Sequence, residues 1–412
     1  MRGRWDGCLG KGISVRRSQH HHRCHYGRLR IRWPGLVEVM LSREDVYDFC
    51  RRLKVQPTNQ RRGATMKRTT IAAGLVLAAL TIPTTAGASS ATVDGWGQFT
   101  SGSPSSLVDV PASVILPAPP TAIQASNSGD YALVDGSVYA WGYGAEGELG
   151  DGDTANSIDT PVEVDFPAGV TITDIGDARN SGYAVDSNDN AWAWGGVDDG
   201  DHCQTTGKKQ LAPVEVPGLP PVIATAGGQG HSLWLAADGT VWACGNNDKG
   251  QLGDGSFTNS ATPVEVRGLS NVVAISSGNQ TSAALTATGD LYTWGQGGHV
   301  GTGTKGNVDV PTQIPGTFAQ VYAGGSLPDN GNTLALTTGG VVKAWGAGYS
   351  NAPEVLSLPF TPQSVMAAGD LDGAIDTSGN VWTWKVGKPN QATIVATGQT
   401  ELSGTADSVM SS

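Results

Sequence analysis

Cysteine is scarce in this sequence. Only 5 occur in 412 residues, and Cys8, Cys24 and Cys50 all precede residue 66, leaving Cys203 and Cys244 for everything that follows. Two cysteines make no disulfide framework; one bridge is allowed if the protein is exported, but two separate thiols are the expectation. Long apolar runs are also missing. The run Ile71–Ile82 spans 12 residues, too short to cross about 30 Å of hydrocarbon as a helix, so no membrane span is expected. Basic residues are rare after Arg68: residues 69–412 carry 9 Lys+Arg against 32 Asp+Glu, a net charge of −23. Such a body is repelled by phosphate backbones, which excludes nucleic acid as a partner. There is no Gly-x-Ser-x-Gly elbow, no His-Glu-x-x-His, no P-loop and no dinucleotide fingerprint after a strand. The chain is therefore expected not to be an enzyme, and to need neither cofactor nor metal.

What is present begins with an asymmetry of charge. Residues 1–65 hold 15 Lys+Arg against 5 Asp+Glu, with His20-His21-His22 among them and no sustained period. Directly after comes Met66-Lys67-Arg68, then the apolar run, then Ala86-Gly87-Ala88. A positive start, a short apolar stretch and an A-x-A site in that order are the pattern of a secretory signal peptide. Residues 1–65 are accordingly read as an upstream extension that is not translated or carries no fold, 66–88 as the signal peptide, and 89–412 as the secreted body.

The body repeats itself. Val241-Trp242-Ala243-Cys244-Gly245 has relatives at 138–142, 191–195, 291–295, 342–346 and 381–384, and the Trp-Gly position falls at Trp96, Trp141, Trp194, Cys244, Trp294, Trp345 and Trp384, at intervals of 45, 53, 50, 50, 51 and 39 residues. Within a unit, short β-branched runs alternate with turns: Asn271–Ser276, Ala283–Leu285, Leu291–Trp294 and Pro311–Ile314. Each run is three to six residues with period-two alternation, so each unit is four strands. Asp135-Gly136, Asp189-Asn190, Asp238-Gly239, Thr288-Gly289, Gly339-Gly340 and Ser378-Gly379 precede the third strands and predict two-residue hairpins. The Gly after each Trp is expected to leave the strand in a conformation closed to side chains. Units this small must stack, and seven stacked units close into a ring, an all-β, seven-bladed β-propeller of four-stranded antiparallel blades. Thr92–Gly97 and Pro111–Val114 supply only third and fourth strands, while Thr393–Gly398 and Leu402–Thr405 supply only first and second ones. One blade is thus shared between the two ends, which removes the open edge.

Read in full, Ala224 to Gly253, with Gly228-Gln229-Gly230-His231-Ser232 and then Gly250-Gln251-Leu252-Gly253, resembles the repeat of the regulator of chromosome condensation family. Gly147-Glu148-Leu149-Gly150 is similar, while Asp198–Cys203 departs from the pattern. The resemblance covers roughly residues 92–408 and implies a seven-bladed propeller with a shared blade. The family's founding member exchanges nucleotide on a small nuclear GTPase and docks on nucleosomes, and secreted bacterial members include a β-lactamase inhibitor. Guanine-nucleotide exchange and inhibition of an extracellular enzyme are therefore alternatives to set beside the reading that the residues favour.

That reading is a secreted, non-enzymatic, monomeric scaffold binding a protein or cell-surface partner through the variable loops after each Trp-Gly. Rigid frames with variable clustered loops are a common way to build binders. The candidate partner-binding residues are Tyr143, Glu146, Asp199, His202, Asn247, Lys249, His299 and Tyr349 from the loops, and Trp234, which stands where other units have Ala284 or Ala335. His202 and His299 are expected in surface loops. His231 is expected to tie its blade by hydrogen bonds, and the remaining Trp to pack between blades. A hydrolase or lyase working through these histidines is a further alternative. Asp198–Asp201 lacks the ligand register of a calcium loop and is read as a solvated turn.

Overall fold

A computed structural model of the chain describes residues 29–31, 39–41, 91–97, 112–125, 128–196, 202–203, 208–325, 331–368, 371–397, 402–405 and 408–411. The expected signal peptide, Asp198–Asp201 and the candidate Asp199 lie outside them. The chain divides into two units, Met1–Ile82 and Pro83–Ser412. In the first, Leu29–Ile31 pairs antiparallel with Val39–Leu41.

The second unit is all β. Six blades, each of four consecutive antiparallel strands, follow one another: blade 1 from Ala122–Gln124 to Ser157–Glu163, blade 2 from Ile172–Asp177 to Gln210–Glu215, blade 3 from Val222–Gly227 to Ser260–Glu265, blade 4 from Val272–Gly278 to Val308–Ile314, blade 5 from Phe318–Gly324 to Glu354–Val355 and blade 6 from Pro362–Ala367 to Thr393–Thr397. Six such blades stand where seven units were expected. The strands of the expected seventh come from both ends and pair in one sheet, in the order Leu402–Thr405, Ser408–Ser411, Ala91–Gly97, Ala112–Leu116. Two assignments in that region are corrected, the first being that Leu402–Thr405 is the first strand of the shared sheet and not the second, which is Ser408–Ser411. Thr393–Thr397 is not the first strand of the shared sheet but the fourth strand of blade 6, paired with Asn380–Lys385. The loop after Trp384 is short and carries a single 3-10 turn, Pro389–Gln391, so the next β-branched run falls back on the strand just made.

The repeat's turn chemistry is also sharpened. Only blade 1 has the two-residue hairpin, with Val134 opposite Ser137 and positive φ at Asp135 (50°) and Gly136 (85°). In blade 3 the pairing closes one step earlier, at Leu235 opposite Val241, and Gly239 N–H donates to Ala236 O with positive φ at Gly239 alone. This is the wider hairpin in which a left-handed residue follows an ordinary turn. In blades 2 and 6 a carboxylate fastens that turn. Asp186 accepts from the backbone of Asn188 and Asn190 and from Trp192 Nε1, and Asp376 accepts likewise from Ser378, Asn380 and Trp382 Nε1.

The core lies between blades. Leu149 and Tyr131 of blade 1 cluster with Trp192 and Trp194 of blade 2, Leu252 and Val266 of blade 3 with Trp294 of blade 4, and Leu334 and Leu336 of blade 5 with Trp384 of blade 6. Each buried indole removes on the order of 200 Å² from water, so the seams dominate the stability of the array.

Candidate functional site

The loops joining third to fourth strands are built outward from the Trp-Gly step. Gly142, Gly195, Gly245, Gly295 and Gly346 all have φ between 99° and 122°. A Cβ on Gly195 would stand 2.3 Å from Asn180 O, and one on Gly295 would stand 2.3 Å from Gln280 O. The chain can therefore leave the third strand only at glycine, as expected.

The loops of blades 1 and 3 then latch their blades to the next. Glu148 O accepts Tyr131 Oη at 2.7 Å from its own blade and Trp194 Nε1 at 2.9 Å from blade 2. Gln251 O accepts Ser282 Oγ and Trp294 Nε1 of blade 4, both at 2.8 Å. The same side chains curl back, Glu148 Oε2 onto Glu146 N and Gln251 Oε1 onto Lys249 N. The next glycine is required by the incoming ring, since a Cβ on Gly150 or Gly253 would lie 2.7 Å from Trp194 or Trp294. A capping Asn repeats as well: Asn156, Asn259 and Asn307 each accept the N–H of a loop residue, at Gly144, Asn247 and Gly297.

This plan relocates several candidate residues. Asn247 is fully buried: its Nδ2 donates to Asp254 Oδ1 and to the carbonyls of Ser256 and Thr258, and its Oδ1 accepts Leu252 N–H. It shapes the loop and does not reach a partner. His202 is buried rather than exposed, because His202-Cys203 occupies the place that Glu148-Leu149 and Gln251-Leu252 take in other blades. Its Nε2 lies 2.9 Å from Ser181 Oγ, and burial holds the imidazole down at about 4. Trp234 is also 0 % exposed, packed edge-on against Tyr183 with Nε1 donating to Ser232 Oγ.

The burial of Trp234 has a cause in its neighbour. Blade 3 has Cys244 where the others have Trp, and Cys244 is bonded to Cys203 of blade 2, with the Cα atoms 5.3 Å apart. The expectation of two separate thiols is therefore corrected. Cys203, Cys244, Trp234 and Tyr183 share one buried cluster. The indole absent from the third strand has moved to the second, and a covalent bond replaces the indole-to-carbonyl latch.

Blade 5 shows another exchange. Its loop is short, and Tyr349 is occupied: Trp384 Nε1 of blade 6 donates to Tyr349 Oη at 3.1 Å, and Tyr349 Oη donates to Asp372 Oδ2 at 2.5 Å. Asn332 Nδ2 completes the set at 2.7 Å from Asp372 Oδ1. Burial pushes the Asp372 carboxyl up to about 7, against the hydrogen bonds from Tyr349 and Asn332. Tyr349 is thus a latch rather than a free loop side chain.

His231 behaves as expected, its Nε2 standing 3.0 Å from Ser282 Oγ and 2.9 Å from Ser277 Oγ of blade 4, and burial depresses it to about 3. A fully buried imidazole that stays neutral at pH 7 gives no support to acid–base work by it.

Four candidates remain on or near the surface. Tyr143, Glu146, Lys249 and His299 are half-buried. Glu146 pairs with Lys209 of blade 2 at 2.8 Å, and Lys249 with Asp248 at 2.6 Å. The sequence reading missed Phe257, 51 % exposed at the tip of the blade 3 loop. Counting back from the capping Asn puts Phe257 level with Thr154 and Lys305, so the signal was a tip position that differs among these three copies. A shallow cavity opens where the first strands end, lined by Asp177, Arg179, Gln229, Ser277, Asn279 and Tyr322. Burial, with the charge of Asp130 added, raises Asp177 well above the usual carboxylate range.

Two stretches, 135–177 and 238–285, match the regulator of chromosome condensation (RCC1) repeat, and a second description of that repeat matches 222–251 and 272–299. These stretches are RCC1-like. The matched RCC1 stretches hold the latches of blades 1 and 3 described above, from Glu148 and Gln251. No curated protein is similar to this chain by sequence. Among solved structures, human WBSCR16 is 18 % identical with a TM-score of 0.67, covering 78 % of this chain and 98 % of its own. Prp20p from Saccharomyces cerevisiae, described with its binding to Gsp1p and histones, is 19 % identical with a TM-score of 0.63, covering 78 % and 90 %. Yeast RCC1 (Prp20) bound to Kap60 is 18 % identical with a TM-score of 0.63, covering 87 % and 96 %. At these identities the likeness is one of fold, an RCC1-like propeller, and fold alone assigns no function. Among the described residues no helix is long and apolar enough to cross a membrane.

Proposed function

We propose that this chain is a secreted, non-enzymatic, seven-bladed propeller that binds a protein partner through the loops between third and fourth strands. The observation that carries this reading is a division of labour within each loop. Positions that agree between copies, such as Gly150 and Gly253, are buried at the seams, while the tip positions Thr154, Phe257 and Lys305 differ and are exposed. Exposed aromatics on rigid loops are frequent anchors of protein interfaces, and a body of net charge −23 favours a cationic partner.

Export is supported by the sequence pattern at 66–88 and, independently, by the bond between Cys203 and Cys244, since disulfides persist mainly in oxidising compartments. A seventh blade would be formed by the sheet made from both ends, and lobe counts in class averages of the isolated particle test this against six. N-terminal sequencing of the exported protein should begin at Ser89; an intact Met1 or Met66 would overturn the export reading. Exported protein used as bait should retain a partner that the triple variant Glu146→Ala, Lys249→Ala, Phe257→Ala loses at least tenfold. Equal capture by a folded variant would sink the loop-face reading.

A further inference from the structure

The seams between blades 3 and 4 and between blades 4 and 5 are spanned by the same repeat and tied alike at both ends. Where the first strands end, Gln229 N–H donates to Asn279 O at one seam and Asn279 N–H to Gly325 O at the other, both at 2.6 Å. Toward the fourth strands, Gly255 N–H donates to Asp309 O and Gly303 N–H to Asn351 O, both at 2.9 Å. Ala323 N–H adds a bond to Ser276 Oγ at the second seam. The indoles are also seated alike, since a Cβ on Gly253 would stand 2.7 Å from Trp294 Nε1 and one on Gly301 2.9 Å from Trp345 Nε1. The two seams differ in the middle.

At the first, Ser282 Oγ and Trp294 Nε1 converge on Gln251 O, and His231 Nε2 reaches Ser282 Oγ. At the second, Thr333 and Trp345 hold the places of Ser282 and Trp294, paired with each other in blade 5 as those are in blade 4. Neither Thr333 Oγ1 nor Trp345 Nε1 has a hydrogen-bond partner, although both residues are fully buried. Thr281 stands in the place of His231 and Asn332 but ends at its γ atom, and its buried Oγ1 is unpartnered too. Gln296 Oε1, in the loop of blade 4, joins them. At the latched seam His231 Nδ1 is in the same state, but its ring is held through Nε2 by two hydroxyls. A cause lies in blade 4 itself. Thr293 stands where blades 1, 2, 3 and 5 have Ala140, Ala193, Ala243 and Ala344, and its Oγ1 donates to Val300 O at 2.5 Å. The peptide beside the latch carbonyl is drawn to its own blade, and His299 O, in the place of Gln251 O, receives neither donor.

We infer that the seam between blades 4 and 5 is a hinge, which opens before the other seams between blades 1 and 6 and lets the loop of blade 4 shift against blade 5. A buried donor left without an acceptor forfeits its hydration on folding. This seam therefore rests on apolar contacts around Leu285, Phe318 and Trp345 and on the bonds at its two ends. Opening it returns Thr281, Thr333 and Trp345 to water, which lowers its cost relative to a latched seam. Each of the other seams has a link to break: Trp194 to Glu148 O, the bond from Cys203 to Cys244, Trp294 to Gln251 O, and Trp384 to Tyr349. Segments that move on binding are drawn from the least stable parts of a fold, and the hinge sets that compliance under the loop that carries Lys305. The inference holds whether or not the loops bind a partner.

A matched pair of reporters tests it. Ala284 and Ala335 hold the same place in the second strands of blades 4 and 5, both are 0 % exposed, and they lie in the cores of the latched and the unlatched seam respectively. The single variants Ala284→Cys and Ala335→Cys of the full chain, with the bond from Cys203 to Cys244 intact, are treated with iodoacetamide under native conditions. Modification is followed peptide by peptide by mass. When reclosing is faster than alkylation the rate follows the population of the open form, so Ala335→Cys should react about tenfold faster or more. Adding Thr281→Asn supplies an amide that can donate to Thr333 as Asn332 donates to Asp372, and should slow the Ala335→Cys reaction about threefold or more. Equal rates at the two thiols, or a faster reaction at Ala284→Cys, overturn the inference. So does a folded Thr281→Asn protein whose Ala335→Cys thiol reacts as fast as before.

Discussion

The seam between blades 3 and 4 and the seam between blades 2 and 3 are made by the same repeat and held in different ways. At the first, Trp294 lies on Gly253 and donates to Gln251 O at 2.8 Å. At the second, a sulfur–sulfur bond from Cys203 to Cys244 joins the blades, and Trp234 fills the space from the neighbouring strand. The comparison shows that the repeat fixes a volume and a link across both seams without fixing which residues provide them. Close packing makes the volume obligatory, because an unfilled seam costs both transfer energy and a cavity.

The comparison is broken most severely at Gly253. Gly253→Val forces a branched residue to φ 66° and puts its Cβ 2.7 Å from Trp294 Nε1 and 2.9 Å from Val266 Cγ1. Backbone strain and overpacking then add, for an expected loss on the order of 4 kcal/mol in denaturant unfolding. A change below about 1 kcal/mol would mean that the seam is looser than the packing implies. Next comes the covalent seam. The bond spans 41 residues, and loop-closure entropy assigns such a bridge about 3–4 kcal/mol. Reduction, or the double variant Cys203→Ser and Cys244→Ser, should lower the stability by that order while Trp234 stays buried, read as an unchanged emission maximum. A large red shift on reduction would show that the indole depends on the bond instead of substituting for Trp at position 244.

How far these seams could be read in advance depends on the distance between the residues that make them. Gly245 and its relatives were legible because the constraint is local: one residue, one strand end, one φ. The four-strand unit was legible from period-two runs. Trp234 was not, because its burial answers a change ten residues away at Cys244, and only the two departures taken together show an exchange. His202 was misplaced for a related reason: its loop lacks the Gly-Gln-Leu-Gly spelling, although its position still corresponds to Gln251. The last blade was misread because Thr393–Thr397 looks like any first strand, and only the shortness of the preceding loop sends it back to Trp382. Of the candidate loop residues, Glu146 and Lys249 lie at the surface, whereas Asn247, identical in chemistry to an exposed asparagine, is consumed by its own loop.

A third seam sharpens the comparison with a smaller effect. Between blades 5 and 6 the carbonyl latch is replaced by Tyr349 Oη, which accepts from Trp384 and donates to Asp372. Burial raises Asp372 to about 7 in the folded chain, against an ordinary value of 3.8. Its folded value lies above its unfolded one, so its contribution to stability is complete below about pH 4 and is lost as the pH rises through 7. The unfolded chain binds fewer protons across this window, and raising the pH therefore favours unfolding. Between pH 5 and 8 the loss from this group is expected to be on the order of 2 kcal/mol. Asp372→Asn cannot ionise, retains an oxygen to accept from Tyr349, and should flatten the profile over the same range. The two other seams have no carboxylate in the latch: Trp294 donates to a backbone carbonyl, and Cys203 and Cys244 do not titrate while bonded. Hydrogen exchange should accordingly quicken with pH, beyond its intrinsic dependence, at Gly346–Tyr349 and Leu371–Asp372 and not at Gly250–Gly253. Uniform quickening at all three seams, or a pH profile unchanged by Asp372→Asn, would place the ionisation elsewhere in the ring.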